Sequence, residues 1–162
     1  MPPSRWAYFG EDIGATIALV DRALALNPSF ARGWHCSGVL RLRAGHCSLA
    51  IAHLEASLCL SPRARVGTSR SALGCAQFLS QRFDEAVATL ALAIQEDAGH
   101  VQPYRHLAAC YAHMGRLDEA REIVARLRTI TAQVIPRTVH LRNPEHRELY
   151  LSSLRLAAGE AP

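Results

Sequence analysis

Apolar residues follow the roughly 3.6-residue period of amphipathic helices through much of the chain. One such pattern occurs twice. RFDEAVATLALAI occupies residues 82–94 and RLDEAREIVARL occupies residues 116–127, so the two stretches start 34 positions apart. Each places Arg, an apolar residue, Asp, Glu and Ala before the apolar positions of a helix. A fixed period of roughly 20 to 50 residues is typical of chains built from repeated supersecondary units.

Three units that begin at Ala31, Gly67 and Val101 bring residues of similar size to equivalent positions. The eighth and twentieth positions are small, while larger residues at the fourth, seventh, twenty-fourth and twenty-seventh fill the layer around them. Because two antiparallel helices approach closely only where side chains are small, this pattern predicts one helix pair in each unit, with the eighth position facing the twentieth. The small residues are Gly38, Gly74 and Ala108 at the eighth position, and Ala50, Ala86 and Ala120 at the twentieth.

Turn residues separate the two predicted helices of each unit. Gly45 and Gly115 stand where the first helix should end, and glycine is the residue that most readily adopts the left-handed conformation there. Gln81 occupies the same position in the middle unit, which is a departure from the pattern. Asp84 and Asp118 follow at the start of each second helix, where an acidic residue caps the helix or complements its dipole.

The two ends of the chain depart from the repeat. We expect a partial first repeat over residues 1–30, complete repeats over 31–64, 67–100 and 101–134, and an insertion at 65–66. Pro136 interrupts the last helical pattern, Asn143 and Pro144 start a new helix, and Gly159 ends it. Residues 135–162 therefore predict a linker and a helix that caps the apolar face of the last repeat.

Over about residues 12 to 134, the filled positions resemble the tetratricopeptide repeat (TPR). The resemblance implies an all-α fold: a right-handed superhelical solenoid of antiparallel helix pairs, closed by a C-terminal capping helix. It also implies a protein-interaction module that binds a protein segment in a concave groove. The alternative is an ordinary helical bundle with an accidental period.

A narrower resemblance concerns four segments: ALALNPSFARGW, AIAHLEASLCLSP, GRLDEAR and the tail RNPEHRELYLSSLRLAAG. They are similar to the C-terminal repeat regions of certain bacterial class III adenylate/guanylate cyclases. This resemblance implies that the chain is a regulatory fragment of a longer protein, whose catalytic domain would lie outside this sequence. The alternative is a chain whose first repeat is truncated.

Composition narrows the class of protein further. Apolar residues make up 49% of the chain and charged residues 20%, which is typical of a globular domain. The formal net charge is +4. All 18 basic residues are arginine, and they are dispersed along the chain. The five cysteines form no CxxC pair, so free thiols in a reducing cytoplasm are the simplest interpretation. No apolar run is long enough for a membrane span, and we expect a cytoplasmic protein that does not enter the membrane.

The chemistry-bearing residues do not form a convincing catalytic or metal site. GxSxG, GxxxxGK[ST] and HExxH are all absent, so we expect no enzymatic activity and no cofactor in this chain. His106, Cys110 and His113 fall at i, i+4 and i+7 of one predicted helix, a spacing that could hold a metal ion. The stronger interpretation is that Cys110 is a small core residue, because other units have Leu40 and Ala76 at its position.

The predicted groove is lined by positions 2, 5, 9, 12 and 13 of the first helix in each unit, which share one helical face. The mixture of basic, polar and apolar residues suits a protein segment with acidic residues around one or two apolar anchors, paired with Arg43 and Arg105. A solvated surface without a ligand is the alternative. The candidates are Arg32, His35, Val39, Leu42, Arg43, Thr68, Ser71, Cys75, Phe78, Leu79, Gln102, Arg105, Ala109, Ala112 and His113.

A second class of partner is nucleic acid, bound through Arg63, Arg65 and Arg70 around the long loop of SPRARVGTSR. Phosphate binding would make the affinity fall steeply with salt. We consider nucleic acid the less favoured partner, because the basic residues are not concentrated on one predicted face. Self-association remains open.

Overall fold

The computed structural model describes residues 12–62 and 66–160, with only the backbone described at 66 and 67. Eight α-helices and no strand lie within these ranges, which confirms the all-α prediction. The helices are α1 (Ile13–Leu26), α2 (Ala31–Ala44), α3 (Cys47–Leu60), α4 (Val66–Leu79), α5 (Phe83–Glu96), α6 (Val101–His113), α7 (Leu117–Ile130) and α8 (Pro144–Ala158).

Helices that are neighbours in sequence pack against each other throughout the solenoid. The main contacts pair α2 with α3, α4 with α5, and α6 with α7, and the pairs stack through α3 on α4 and α5 on α6. The helix α4 also contacts α2 and α6, so these three helices share one side of the stack. We call these three the inner helices, and α3, α5 and α7 the outer helices.

The close approach within the first and second pairs depends on glycine facing leucine. A Cβ atom added to Gly38 would lie 2.6 Å from Leu54 Cγ, and one added to Gly74 would lie 2.5 Å from Leu90 Cγ. The eighth position is therefore small because it meets the leucine at position 24; at Gly38 it also meets the Ala50 backbone oxygen at position 20, 3.2 Å away. In the third pair the same two positions hold Ala108 and Val124, both buried. In this pair the residue at the eighth position is larger than glycine, and its partner at position 24 is smaller than leucine.

The turns within the three pairs use the left-handed backbone conformation at equivalent positions. Gly45 has φ 93° and Gly115 has φ 76°, as the sequence predicts. Gln81 adopts φ 60° in the middle turn, although a side chain disfavours this conformation by about 1–2 kcal/mol. The turn geometry is thus imposed by the packing of the pair even where glycine is missing.

The repeated Arg-x-Asp-Glu segment begins each of the last two outer helices. Arg82 and Arg116 are the N-cap residues and make no side-chain cap, while their guanidinium groups bond to the glutamate three residues later. The Nε atoms lie 2.7 Å from Glu85 Oε1 and 2.8 Å from Glu119 Oε1. Asp84 and Asp118 lie in the first turn, where their charge complements the helix dipole without capping it.

An ion pair attaches α1 to the first complete pair. Arg41 on α2 is buried and donates from Nη2 to both carboxylate oxygens of Asp21, at 2.9 and 2.8 Å. Arg41 also bonds to Ser37 Oγ, which lies 3.0 Å from His53 Nδ1. Because a bidentate, charge-assisted pair fixes orientation as well as distance, it sets the position of α1 on α2.

The C-terminal helix forms as the sequence predicts but covers more than the end of the stack. Asn143 caps α8, accepting from the backbone N–H of Glu145 at 2.8 Å, Pro144 is its first residue, and Gly159 ends it with φ 79°. α8 packs chiefly against α6, with smaller contacts to α7 and α4. It therefore caps the solenoid from the inner side.

The five cysteines are free thiols, of which Cys47, Cys75 and Cys110 are buried. Within residues 12–62 and 66–160, no helix combines the length and the apolar character needed to cross a bilayer.

Candidate ligand-binding groove

The residues predicted to line a groove all lie on the three inner helices, but they differ in exposure. Arg32, Thr68 and His113 are exposed, and His35, Val39, Arg43 and Gln102 are half-buried. The remaining candidates are buried: Leu42, Ser71, Cys75, Phe78, Leu79, Arg105, Ala109 and Ala112. The inner side is therefore only partly open.

Helix α8 covers the part of the inner side formed by α4 and α6. The Tyr150 ring stacks on the His106 ring with centroids 4.8 Å apart, and lies 6.3 Å from the Phe78 ring in an edge-on arrangement. Tyr150, Ser153, Leu154 and Ala157 are all buried in this contact. The predicted apolar strip at Phe78 and Leu79 is thus part of the core and not a free surface.

A second stretch of the chain crosses the inner side before α8 begins. We call residues 131–142 the return segment; it is non-helical and has a turn at residues 139 and 140. Arg105 on α6 donates from Nε to the carbonyl oxygen of Val134 at 2.9 Å and from Nη2 to that of Gln133. At its other end, Arg142 N–H donates to the Arg43 carbonyl oxygen on α2 at 2.8 Å. The return segment therefore runs from α6 to α2.

This arrangement corrects the role expected for Arg105. The sequence predicts that its guanidinium faces an open groove and pairs with a partner's carboxylate. In the structure the residue is only 7% exposed, and its donors are used by the chain's own carbonyl groups. Sequence reasoning missed this because the return segment follows the last repeat and has no repeat position of its own.

An open cleft of about 250 Å³ lies on the inner side, between α2, α4, α6 and the end of the return segment. It brings together eight of the predicted residues: His35, Val39, Leu42, Arg43, Thr68, Ser71, Cys75 and Gln102. The prediction omitted five others: Ala72, His100, His106, His140 and Leu141. His100 and the return-segment residues come from connections, where the helical period carries no information.

The cleft has a basic character without acidic lining residues. Arg43 contributes a cation, and none of the residues that line the cleft is Asp or Glu. His35 Nδ1 lies 2.9 Å from Ser69 Oγ, and burial lowers the pKa of His35, with a further contribution from the Arg32 charge. Burial also lowers the pKa of His100, and that of His106 to about 3. These imidazoles are therefore neutral at pH 7, when they can donate or accept hydrogen bonds.

On α6, the side chains of His106, Cys110 and His113 have different surroundings. His106 stacks on Tyr150, and Cys110 is fully buried, so that burial raises the pKa of its thiol to about 12. His113 is exposed and lies against the Phe83 ring, with centroids 4.5 Å apart. In the part of the chain that the structure describes, no group of three or more His, Cys, Asp or Glu side chains is arranged to hold a metal ion.

Of the three arginines considered for nucleic acid binding, only Arg70 lies among the described residues. Arg63 and Arg65 lie outside the described ranges. Arg70 Nε bonds to Glu96 Oε1 at 2.7 Å, so its charge is paired within the chain. No geometric observation therefore favours phosphate over a protein ligand.

Comparison with known proteins supports the repeat interpretation. Residues 77–142 match a family model described as "Tetratricopeptide repeat". The crystal structure of MamA is 19% identical, with a TM-score of 0.72 over 98% of this chain and 94% of that one. YrrB, described as "a TPR protein with an unusual peptide-binding site", is 22% identical, with a TM-score of 0.65 over 95% of this chain and 80% of that one. Among curated proteins, none matches the chain.

These matches establish the fold as a TPR solenoid. The comparisons give no catalytic family. They also give no support for a link to a nucleotide cyclase.

Proposed function

We propose that this chain is a protein-interaction module that binds a protein segment on its inner side, with the cleft as the accessible part of the site. The observation that carries the proposal is the cleft itself, which three inner helices and the return segment form together. Its volume of about 250 Å³ is below the roughly 300–1,000 Å³ of a drug-sized pocket. It therefore fits one or two side chains of a partner and not a whole cofactor.

The chemistry of the lining indicates which side chains these are. Val39, Ala72 and Leu141 offer an apolar wall, while Arg43 and Gln102 offer donors. Because no carboxylate lines the cleft, an acidic residue of the partner would meet Arg43 without repulsion and could pair with it bidentately. The proposed ligand is thus a segment with an apolar anchor next to Asp or Glu.

Selection of peptides from a random display library, followed by fluorescence anisotropy on the selected sequences, tests this function. We expect Arg43→Glu to weaken binding at least about tenfold, since a hydrogen bond to a charged group contributes about 1.5–3 kcal/mol. Arg121→Glu on the outer helix α7 is the matched control and should leave the affinity within about twofold. If Arg121→Glu weakens binding and Arg43→Glu does not, the ligand binds the outer face and the proposal is wrong.

The wider setting is a separate proposal that depends on sequence resemblance alone. We propose a cytoplasmic setting in which the module serves as a regulatory region of a nucleotide cyclase. A cyclase domain encoded in the same reading frame upstream of Met1 would support this setting. An unrelated gene immediately upstream would contradict it and leave the binding function untouched.

A further inference from the structure

The two C-terminal elements are attached to the solenoid in different ways. α8 contributes an apolar face to the main core, through Tyr150, Leu154 and Ala157. The return segment instead alternates between buried and exposed residues. Val134, Thr138 and Leu141 are buried, whereas its Val139 is 81% exposed. Both elements thus contribute to the core: α8 does so with one face of a helix, and the return segment does so with Val134 and Leu141 on a non-helical stretch, as a bound peptide would.

The contacts of the return segment are those of peptide recognition. Arg105 donates hydrogen bonds to two successive main-chain carbonyl groups, those of Gln133 and Val134. It therefore recognises the backbone of the segment and not a side chain. Burial lowers the pKa of Arg105, but a guanidinium stays charged, and each bond to a carbonyl is therefore charge-assisted. Val134 and Leu141 supply the two apolar anchors.

We infer that the return segment is an internal ligand of the inner side, and that a partner segment of the same kind replaces it. The partner that fits is a non-helical peptide with two apolar residues spaced as Val134 and Leu141 are, held through main-chain carbonyls by Arg105. This inference rests on the proposed function and extends its site from the cleft across to α6. The return segment itself has no acidic residue, so an acidic residue at the Arg43 end would add to the affinity but is not required for binding.

Competition within one chain makes the site selective. A tethered segment has an effective concentration in the millimolar range, so a free peptide of equal intrinsic affinity binds weakly. Removing the anchors of the tethered segment removes this competition. The affinity for a free peptide should then rise, because the residues of α2, α4 and α6 that the peptide contacts are unchanged.

The test uses a labelled peptide with the sequence of residues 131–142, TAQVIPRTVHLR, and the full chain carrying Val134→Ser and Leu141→Ser. Fluorescence anisotropy should show that this variant binds the peptide at least tenfold more tightly than the unchanged chain does. Val139→Ser is the matched control, because the residue lies in the same segment but is exposed, and it should bind like the unchanged chain. A peptide with serine at both anchor positions should bind none of the three chains.

Arg105→Gln, added to the double-serine variant, should weaken peptide binding about tenfold, as expected for the loss of about 1.4 kcal/mol. Equal binding by the unchanged chain and the variant, or no binding by either, overturns the inference. If peptides selected for the cleft still depend on Arg43 in that case, the proposed function stands and only the internal-ligand inference is wrong.

Hydrogen exchange on the unchanged chain provides a measurement that needs no substitution. An internal ligand opens locally, so the amide of Arg142, which bonds to the Arg43 carbonyl, should exchange much faster than the amides of α8 around Leu154. If both exchange only with global unfolding, the return segment is a fixed part of the fold and the inference is wrong.

Discussion

The two ends of the inner side have equivalent repeat positions but different surfaces. At the fifth position α2 has His35, half-buried beside the open cleft, while α6 has Arg105, buried against the return segment. At the ninth position Val39 lines the cleft, while Ala109 is fully buried. The difference in exposure arises because α8 packs on α6, whereas α2 is contacted by the end of the return segment. Position in a TPR helix therefore does not by itself determine access.

The scaffold beneath these two surfaces is nearly uniform. The first and second pairs use the same glycine-to-leucine contact, and the three turns share the left-handed conformation. The contrast between an open and a covered end is thus produced by the C-terminal chain and not by the helix pairs. Four predictions test this conclusion.

The largest effect on stability should come from removing a buried side chain of α8, the helix that covers the α6 end. Leu154→Ala removes a side chain that is 0% exposed, so we expect a loss of about 2–5 kcal/mol in the free energy of unfolding. Leu156→Ala on the same helix, where the residue is 44% exposed, should cost less than about 1 kcal/mol. Urea denaturation measures both. Similar small losses would mean that α8 is an appendage.

The pH dependence of stability should also separate the two ends. Burial holds the pKa of His106 at about 3 in the folded chain, against about 6.5 when unfolded. The unfolded state alone therefore takes up the proton as the pH falls below about 6.5, and stability is lost by up to about 1.4 kcal/mol per pH unit. The contribution of His106 to the stability of the folded chain is therefore complete only above about pH 6.5.

Urea midpoints measured from pH 7 to pH 4 test this dependence. His106→Phe should flatten the profile, and His35→Phe, at the open end, should flatten it less, because His35 is only half-buried. Coinciding profiles for His106→Phe and the unchanged chain would show that His106 is not the group that titrates.

Next in size is an effect that should be the same in the first and second pairs. Gly38→Ala and Gly74→Ala each place a Cβ atom against leucine, at Leu54 and Leu90, so each should cost about 1–3 kcal/mol. Combining Gly74→Ala with Leu90→Val imitates the third pair and should recover part of the loss. Thermal melts of the single and double variants measure the coupling. A strictly additive result would show that the two positions do not compensate each other.

The smallest effect concerns the middle turn. Gln81→Gly relieves a left-handed side-chain conformation and should stabilise the chain by about 1 kcal/mol. Gly115→Ala is the converse control: it has open space around its Cβ position, so any loss reports the backbone conformation alone. Unchanged melting temperatures for both variants would mean that the turns tolerate either residue without strain.

The repeat period, the helices and the turns follow from the sequence, because each depends on residues close together in the chain. Small residues at the eighth position, Gly45 and Gly115 at the turns, and the start of α8 at Asn143 are local signals. They specify which helices form and how each pair closes, since helix pairing across a short turn allows few arrangements.

The surface available to a ligand was decided only by the tertiary structure. His106 meets Tyr150 and Arg105 meets Val134, and the Arg43 carbonyl meets Arg142 from nearly the other end of the chain. No period links such positions, because a contact between a repeat and a non-repeating tail is made once and leaves no pattern. The sequence alone could therefore place residues on the inner helices, while the path of residues 131–158 determined which of them remain accessible.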